Sequence, residues 1–159
     1  MTTYSRRTRV AAPLSAVWAF HSTVDGLVAL TPGFMNLRVE GTEGPDGAPD
    51  PDELVAGSRV HVSVRAFGVG PRQTWTSYIR ERERGETDAY FRDVMEDGPF
   101  QRWDHVHRFV SDGEATVVED RLTYALPGGP VGRAISPLGW VGMEPMFRYR
   151  HRKTRELLE

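Results

Sequence analysis

The sequence predicts an α+β fold in which a curved antiparallel sheet of about seven strands wraps around a long C-terminal helix. The middle of the chain is a run of segments with period-two alternation, separated by turn residues. Two short helical segments follow the first strand, and residues 131–158 repeat their apolar side chains at helical spacing. Because hairpin-connected strands give a sheet with one apolar face, the terminal helix is needed to cover that face.

The first third of the chain predicts one strand and two short helices. Residues 2–10 are rich in β-formers, and a proline-containing break follows them. Pro13 begins a short helix, LSAVWAFHS, whose large apolar side chains cannot all be exposed. A second helix, from about Thr23 to Leu30, ends at Thr31-Pro32-Gly33, because the residue before a proline is disfavoured in a helix.

Six further strands are expected between these helices and the C-terminal helix. The clearest alternation lies in SRVHVSVRAFG, where Val60, Val62, Val64 and Ala66 form the buried row and His61 faces solvent. The proline-rich and acidic segment 44–53 cannot form a packed element and predicts an exposed, mobile loop. The other expected strands span 34–43, 73–84 and 114–126, together with the two strands of a central hairpin.

The central hairpin, residues 91–109, carries most of the functional signal. Its odd positions form a single row of aromatic side chains that also contains Asp93, His105 and His107. Asp97-Gly98-Pro99 supplies the turn. Since water-facing strand surfaces are seldom built from Trp and Phe, we expect this row to face a core or a cavity, with the three ionisable groups inside it.

The C-terminal segment predicts one long helix that lies on the sheet. Pro137 and Pro145 fall within it, so we expect a break or kink near each of them. A sheet that curls around a single helix often leaves space between the two, and that space is where ligands of such an architecture would bind.

Composition restricts the functions that need consideration. With 159 residues, 39% of them hydrophobic and 26% charged, the chain fits a single globular domain spanning residues 1–159. It has no cysteine, no apolar run of membrane-spanning length and no hydrophobic leader, so we expect a cytoplasmic protein without disulfides. The formal net charge of −2 predicts neither nucleic-acid binding nor membrane insertion, and we expect a monomer or a dimer.

The hairpin supports a resemblance to a known superfamily through its F-x-D-x-M-x-x-G-P-F-x-x-W-x-H-x-H-x-F pattern. Together with APLSAVWAFHS near the start and FRYRHRKTRELL at the end, it resembles the helix-grip, or SRPBCC, superfamily of START lipid-transfer and polyketide cyclase/dehydrase-like proteins. The resemblance covers essentially the whole chain and implies a cavity between the sheet and the C-terminal helix. It does not imply one activity, because the superfamily includes transporters, receptors and cyclases.

Asp93, His105 and His107 admit three interpretations. We favour a hydrogen-bonded cluster that lines the cavity, because buried polar groups commonly pair with one another. A histidine flanked by an aspartate also has the pKa range for acid–base catalysis, as a cyclase or dehydratase would need. A metal would require at least three ligands, and the resemblance carries none, so we expect no metal and no other cofactor.

The favoured function is binding of a small hydrophobic or amphipathic ligand between the sheet and the C-terminal helix. Alternatives are an acid–base enzyme using His105 or His107 with Asp93, and a non-catalytic interaction protein whose cavity is filled by its own side chains. The basic side chain of Arg150 could pair with a ligand carboxylate, with Asp93, or with Glu144 or Glu156. The expected ligand-contacting residues are Trp75, Phe91, Asp93, Met95, Trp103, His105, His107, Phe109, Tyr124, Met143, Phe147 and Arg150.

Overall fold

The computed structural model describes residues 2–159 and contains seven strands and four α-helices. The chain opens with β1 (Thr2–Val10), α1 (Leu14–His21) and α2 (Val24–Ala29). Six strands follow, and the chain ends with α3 (Gly129–Ile135) and α4 (Trp140–Leu158). The six strands are β2 (Arg38–Glu43), β3 (Arg59–Val64), β4 (Gln73–Arg84), β5 (Asp88–Glu96), β6 (Arg102–Asp112) and β7 (Ala115–Ala125).

All seven strands join one antiparallel sheet in the order β1-β7-β6-β5-β4-β3-β2. The pairing register slips between Val39 and Gly41, where β2 meets β3, and between Ile79 and Glu81, where β4 meets β5. An extra residue in one strand bends it and increases the local twist, so these slips help the sheet to curve. The concave face receives α4, which confirms the predicted fold class and helix-grip arrangement.

Two apolar clusters hold the helices against the β1, β7 and β6 side of the sheet. One joins α1, through Val17 and Trp18, to Phe109 and Val118. The other joins Met143 and Phe147 of α4 to a set of side chains from β1 and β7, namely Tyr4, Leu122 and Tyr124. A third cluster, built on Val60, Val62 and Ile79, lies at the opposite side of the sheet beside α2.

The structure departs from the predicted elements in a few places. The strand expected over 34–43 begins only at Arg38, because Gly33–Met35 forms a short 3-10 helix. The buried row of β3 ends at Val64, and Ala66 is exposed because the chain turns there. The C-terminal helix breaks at Pro137, where residues 136–139 form a 3-10 turn, whereas Pro145 lies inside the continuous helix α4.

Candidate functional site

A cavity of about 630 Å³ lies between the concave face of the sheet and the N-terminal half of α4. Strands β3 to β6 form its floor, α4 forms one wall, and α2 with the segment after it forms the other. Most of the lining side chains are apolar, including Leu27, Val62, Trp75 and Met146. Residues of β1 and β7 do not line the cavity, because their inward side chains are packed beneath α1 and α4.

Asp93, His105 and His107 meet on the cavity floor. Pairing of β5 with β6 sets Asp93 directly opposite His105, and Asp93 Oδ2 accepts a hydrogen bond from His107 Nε2 at 2.7 Å. The two imidazoles project from the same face of β6, with ring centroids 3.6 Å apart. Both rings are about 5% exposed, so the three polar side chains form a largely buried corner of an otherwise apolar cavity.

Asp120 and His151, which we did not expect in the site from the sequence, complete this cluster from behind. Asp120 on β7 accepts a hydrogen bond from His105 Nε2 at 2.7 Å and another from His151 Nε2, on α4, at 2.5 Å. His107 Nδ1 approaches the same carboxylate, 3.2 Å from Oδ1. One buried carboxylate therefore ties β6, β7 and α4 together.

The surroundings shift the pKa values of four groups in the cluster. Burial would raise the pKa of Asp93 and of Asp120, but hydrogen bonds from the imidazoles outweigh it and hold both pKa values below the ordinary range, that of Asp120 well below. Burial would lower the pKa of His107, yet its two carboxylate neighbours raise it. Burial and the nearby His107 lower the pKa of His105. The cluster therefore has one more basic and one less basic histidine side by side.

Two basic side chains, Arg150 and His21, reach the cavity from the helices. Among residues 2–159 Arg150 makes no side-chain hydrogen bond or ion pair, and Glu144 and Glu156 pair instead with neighbouring basic residues or Tyr4. The His21 ring donates from Nδ1 to Val17 O, 2.8 Å away. Burial and the charge of Arg150 lower the pKa of His21 to about 3, so its ring is neutral.

The structure places the expected ligand-contacting residues in two different environments. Phe109 and Tyr124 do not line the cavity: both are fully buried, Phe109 against Trp18 and Tyr124 with its hydroxyl bonded to Ser136 O. The inward-facing row of side chains that contains both residues continues beneath α1 and the 136–139 turn, which cover the sheet there. The others lie on the cavity lining: Trp75, Phe91, Asp93, Met95, Trp103, His105, His107, Met143, Phe147 and Arg150.

Within residues 2–159, one group of side chains is arranged so that it could hold a metal ion. The ligand atoms of Asp93, His105 and His107 all lie within 4.8 Å of one another. The same three side chains could instead exchange protons with a bound molecule, because Asp93 and His107 form a hydrogen-bonded acid–base pair on the lining.

Residues 10–141 match the family described as polyketide cyclase/dehydrase and lipid transport. The chain belongs to this family. The match spans most of the chain and includes the hairpin and the start of α4, so it agrees with the SRPBCC resemblance read from the sequence. The sequence matches no curated protein.

Solved structures share the fold along nearly the whole chain. The protein TTHA0849 from Thermus thermophilus superposes with a TM-score of 0.67 at 21% identity, over 98% of this chain and 95% of that one. CV1439 from Chromobacterium violaceum gives 0.66 at 15% identity, over 99% and 96%. Norcoclaurine synthase from Thalictrum flavum, solved with a transition-state analogue, gives 0.65 at 14% identity, over 99% and 93%. These likenesses show the fold.

No helix within residues 2–159 has both the length and the apolar character needed to cross a membrane.

Proposed function

We propose that this chain binds a small hydrophobic or amphipathic molecule in the cavity between the sheet and α4. The observation that carries the proposal is the open volume of about 630 Å³ with a mostly apolar lining. Binding sites for small molecules usually have a few hundred to about 1,000 Å³ and a few well-placed polar groups. The same volume argues against an interior filled by the chain's own side chains.

The distribution of polar groups supports an amphipathic ligand rather than a purely apolar one. Asp93, His105 and His107 form a polar corner on the floor, and Arg150 extends from α4 with its guanidinium unpaired within residues 2–159. The remaining wall offers aromatic and aliphatic contacts, among them Trp75 and Met146. A ligand with one polar end and an apolar body would satisfy the guanidinium while its body displaces water from the apolar wall.

Native mass spectrometry of protein purified without added ligand tests the proposal. We expect a co-purified mass bound one-to-one in the wild type, lost in a variant whose cavity is partly filled. Ser77→Phe is that variant, because Ser77 lines the cavity in the middle of β4. Thr76→Phe is the matched control, since its side chain points to the opposite face, where it meets His61.

The two outcomes of this experiment separate clearly. Loss of the extra mass in Ser77→Phe with retention in Thr76→Phe supports binding in the cavity. If both variants keep the mass, or if the wild type carries none and takes up no amphiphile added at high concentration, the proposal is wrong.

A second candidate is acid–base catalysis, and the hydrogen bond between Asp93 and His107 on the cavity lining favours it. Norcoclaurine synthase, solved with dopamine and hydroxybenzaldehyde, shows that an enzyme can be built on a similar fold. For this chain a His107→Gln variant that still binds a substrate but no longer turns it over would support catalysis. Unchanged turnover in that variant would reject a role for this histidine.

A further inference from the structure

We propose that Asp93, His105 and His107 form a binding site for one divalent transition-metal ion, such as zinc, on the floor of the cavity. This site is additional to the apolar binding surface and does not depend on which molecule the cavity takes. Three features of the molecule support this site: the donor atoms and their directions, the carboxylate behind them, and the balance of buried charge.

The donor set is suited to such an ion. Two imidazole nitrogens and one carboxylate oxygen form a common protein ligand set for zinc and ferrous iron when a further position stays open for water or substrate. His105 and His107 lie two residues apart on β6, and Asp93 stands across from His105 on the neighbouring strand. Rigid, paired strands therefore present all three ligands from one surface.

The distances are those of a site that needs little adjustment. Asp93 Oδ2 lies 2.7 Å from His107 Nε2 and 4.0 Å from His105 Nδ1. Ligand atoms bound about 2.0–2.1 Å from a tetrahedral zinc are separated by about 3.3 Å, which falls between these two values. All three ligand atoms lie within 4.8 Å of one another, so side-chain rotations would bring them to an ion.

Asp120 holds the His105 imidazole in the orientation that metal binding requires. It accepts a hydrogen bond from His105 Nε2, which leaves Nδ1 of that ring as the lone-pair nitrogen on the side of Asp93. Among residues 2–159 this Nδ1 has no hydrogen-bond partner. His107 also turns one nitrogen, Nδ1, towards Asp120 at 3.2 Å, and the other, Nε2, towards Asp93.

This arrangement is what metal-binding histidines ordinarily show. The ring nitrogen that does not bind the ion donates its proton to a carboxylate behind it, and that contact fixes the tautomer and the ring orientation. Here Asp120 accepts from His105 in this way, and His151 from α4 in turn holds that carboxylate through a 2.5 Å hydrogen bond. The Nε2 proton of His107, which Asp93 accepts, would leave when an ion binds. Within residues 2–159 the Nδ1 of His105 makes no hydrogen bond, so its lone pair is available to an ion.

The buried charges point the same way. Asp93 and Asp120 are two carboxylates within a few ångströms of each other, each bridged by the same two imidazoles. A divalent cation with two neutral imidazoles would balance both carboxylates. Arg150 also places a positive charge near Asp93, from the half-exposed wall of the cavity.

Metal binding can be measured on the tag-free protein with zinc alone. After treatment with a chelator and its removal, we expect one equivalent of Zn²⁺ to bind by isothermal titration calorimetry, with competition by a chromophoric chelator to measure the affinity. His107→Ala and Asp93→Asn should each weaken binding at least tenfold. Asp120→Asn should weaken it by about 10- to 100-fold although it removes no direct ligand.

His61→Ala is the matched control, because His61 is a half-exposed histidine on the opposite face of the sheet that pairs with Glu43. We expect unchanged zinc affinity in this variant. Circular dichroism establishes which variants are folded, and Co²⁺ in place of zinc reports the ligand set of the wild type through its visible spectrum.

The proposal is overturned by any of three results: no stoichiometric binding to folded wild type, equal loss in His61→Ala, or unchanged affinity in folded Asp93→Asn and His107→Ala. If both of those variants fail to fold, the Co²⁺ spectrum of the wild type decides. A spectrum of a low-coordinate ion with nitrogen ligands supports the site, and the spectrum of the hydrated ion rejects it.

Discussion

The two halves of the concave sheet face differ in the polar groups that they leave open. Beneath α1 and α4, where β1, β7 and β6 are covered, buried hydroxyl groups are paired: Thr116 donates to Ala12 O, and Tyr124 donates to Ser136 O, both at 2.8 Å. On the cavity side, His105 Nδ1 and the guanidinium of Arg150 have no hydrogen-bond partner within residues 2–159. Packed side chains fill the covered half of the face, whereas the cavity half leaves polar groups free to contact a bound molecule or ion.

Removing a large side chain should cost much more stability on the packed side than on the cavity side. Phe109 is fully buried against Trp18 and Phe91, so Phe109→Ala should lower the free energy of unfolding by about 3–5 kcal/mol. Met95 already borders open space, and Met95→Ala should cost about 1 kcal/mol. Urea unfolding measures both. Equal losses would mean that the cavity is closed in solution.

Removing the buried carboxylate of Asp120 should likewise cost more stability than removing the cavity-facing carboxylate of Asp93. Asp120→Asn removes the acceptor that joins β6, β7 and α4 and leaves three buried imidazoles without it, so we expect a loss of about 3 kcal/mol. Asp93 touches the cavity and anchors one imidazole, so Asp93→Asn should cost about 1 kcal/mol. A larger loss for Asp93→Asn in urea unfolding would reverse the comparison.

The contribution of Asp120 should depend on acidity. Its pKa is lowered well below the ordinary value in the folded protein, so the stability it contributes is fully present above about pH 4, the unfolded pKa. This contribution is lost as the pH falls through the folded pKa. The difference in unfolding free energy between wild type and Asp120→Asn should therefore be smaller at pH 3 than at pH 5. A difference that is larger at pH 3 than at pH 5 would contradict the assignment.

Arg150 should affect binding rather than folding. Its side chain makes no hydrogen bond or ion pair within residues 2–159, so Arg150→Met should change stability by less than about 0.5 kcal/mol. Affinity for dodecanoate should fall about tenfold while affinity for dodecanol stays the same, because only the acid offers a charged partner. Calorimetric titrations give both values. Equal weakening for the two probes would show that Arg150 contributes contact area alone.

The smallest effect is expected at the outer seam between β1 and α4. Glu144 accepts from Tyr4 Oη at 2.5 Å and from Arg6 Nη1 at 2.6 Å, near the surface. Glu144→Gln should cost at most about 1 kcal/mol in urea unfolding. Glu156→Gln, whose partners Arg152 and Lys153 lie on the same exposed helix face, serves as control and should be neutral within error.

Period-two alternation was sufficient to predict the fold and the cavity-facing hairpin row from the sequence. Alternation did not predict which inward-facing side chains line the cavity, because the elements that cover the sheet decide this. Phe109 and Tyr124 share that inward face, yet α1 and the 136–139 turn cover them. Asp120 follows the same alternation as Val118 and Leu122 and could have been found from it. His151 needed the helix position relative to the sheet, since its partner lies 31 residues away.

The expectation that the chain has no metal stays a prediction, and it was drawn from the same local pattern. The sequence shows three potential ligands, Asp93, His105 and His107, but it does not show which residue would orient the imidazoles. The contacts of Asp120 with both imidazoles appear only once β7 is placed beside β6. Interactions between distant strands are set by the topology, and local pattern does not reveal them.

A crystal structure of the protein grown with dodecanoate tests the central claim most directly. The account predicts density for the acyl chain between β3–β5 and α4, with the carboxylate within hydrogen-bond distance of Arg150 and with β1 and β7 unchanged. A cavity filled only by the protein's own side chains, or dodecanoate bound solely on the outer surface, would contradict it.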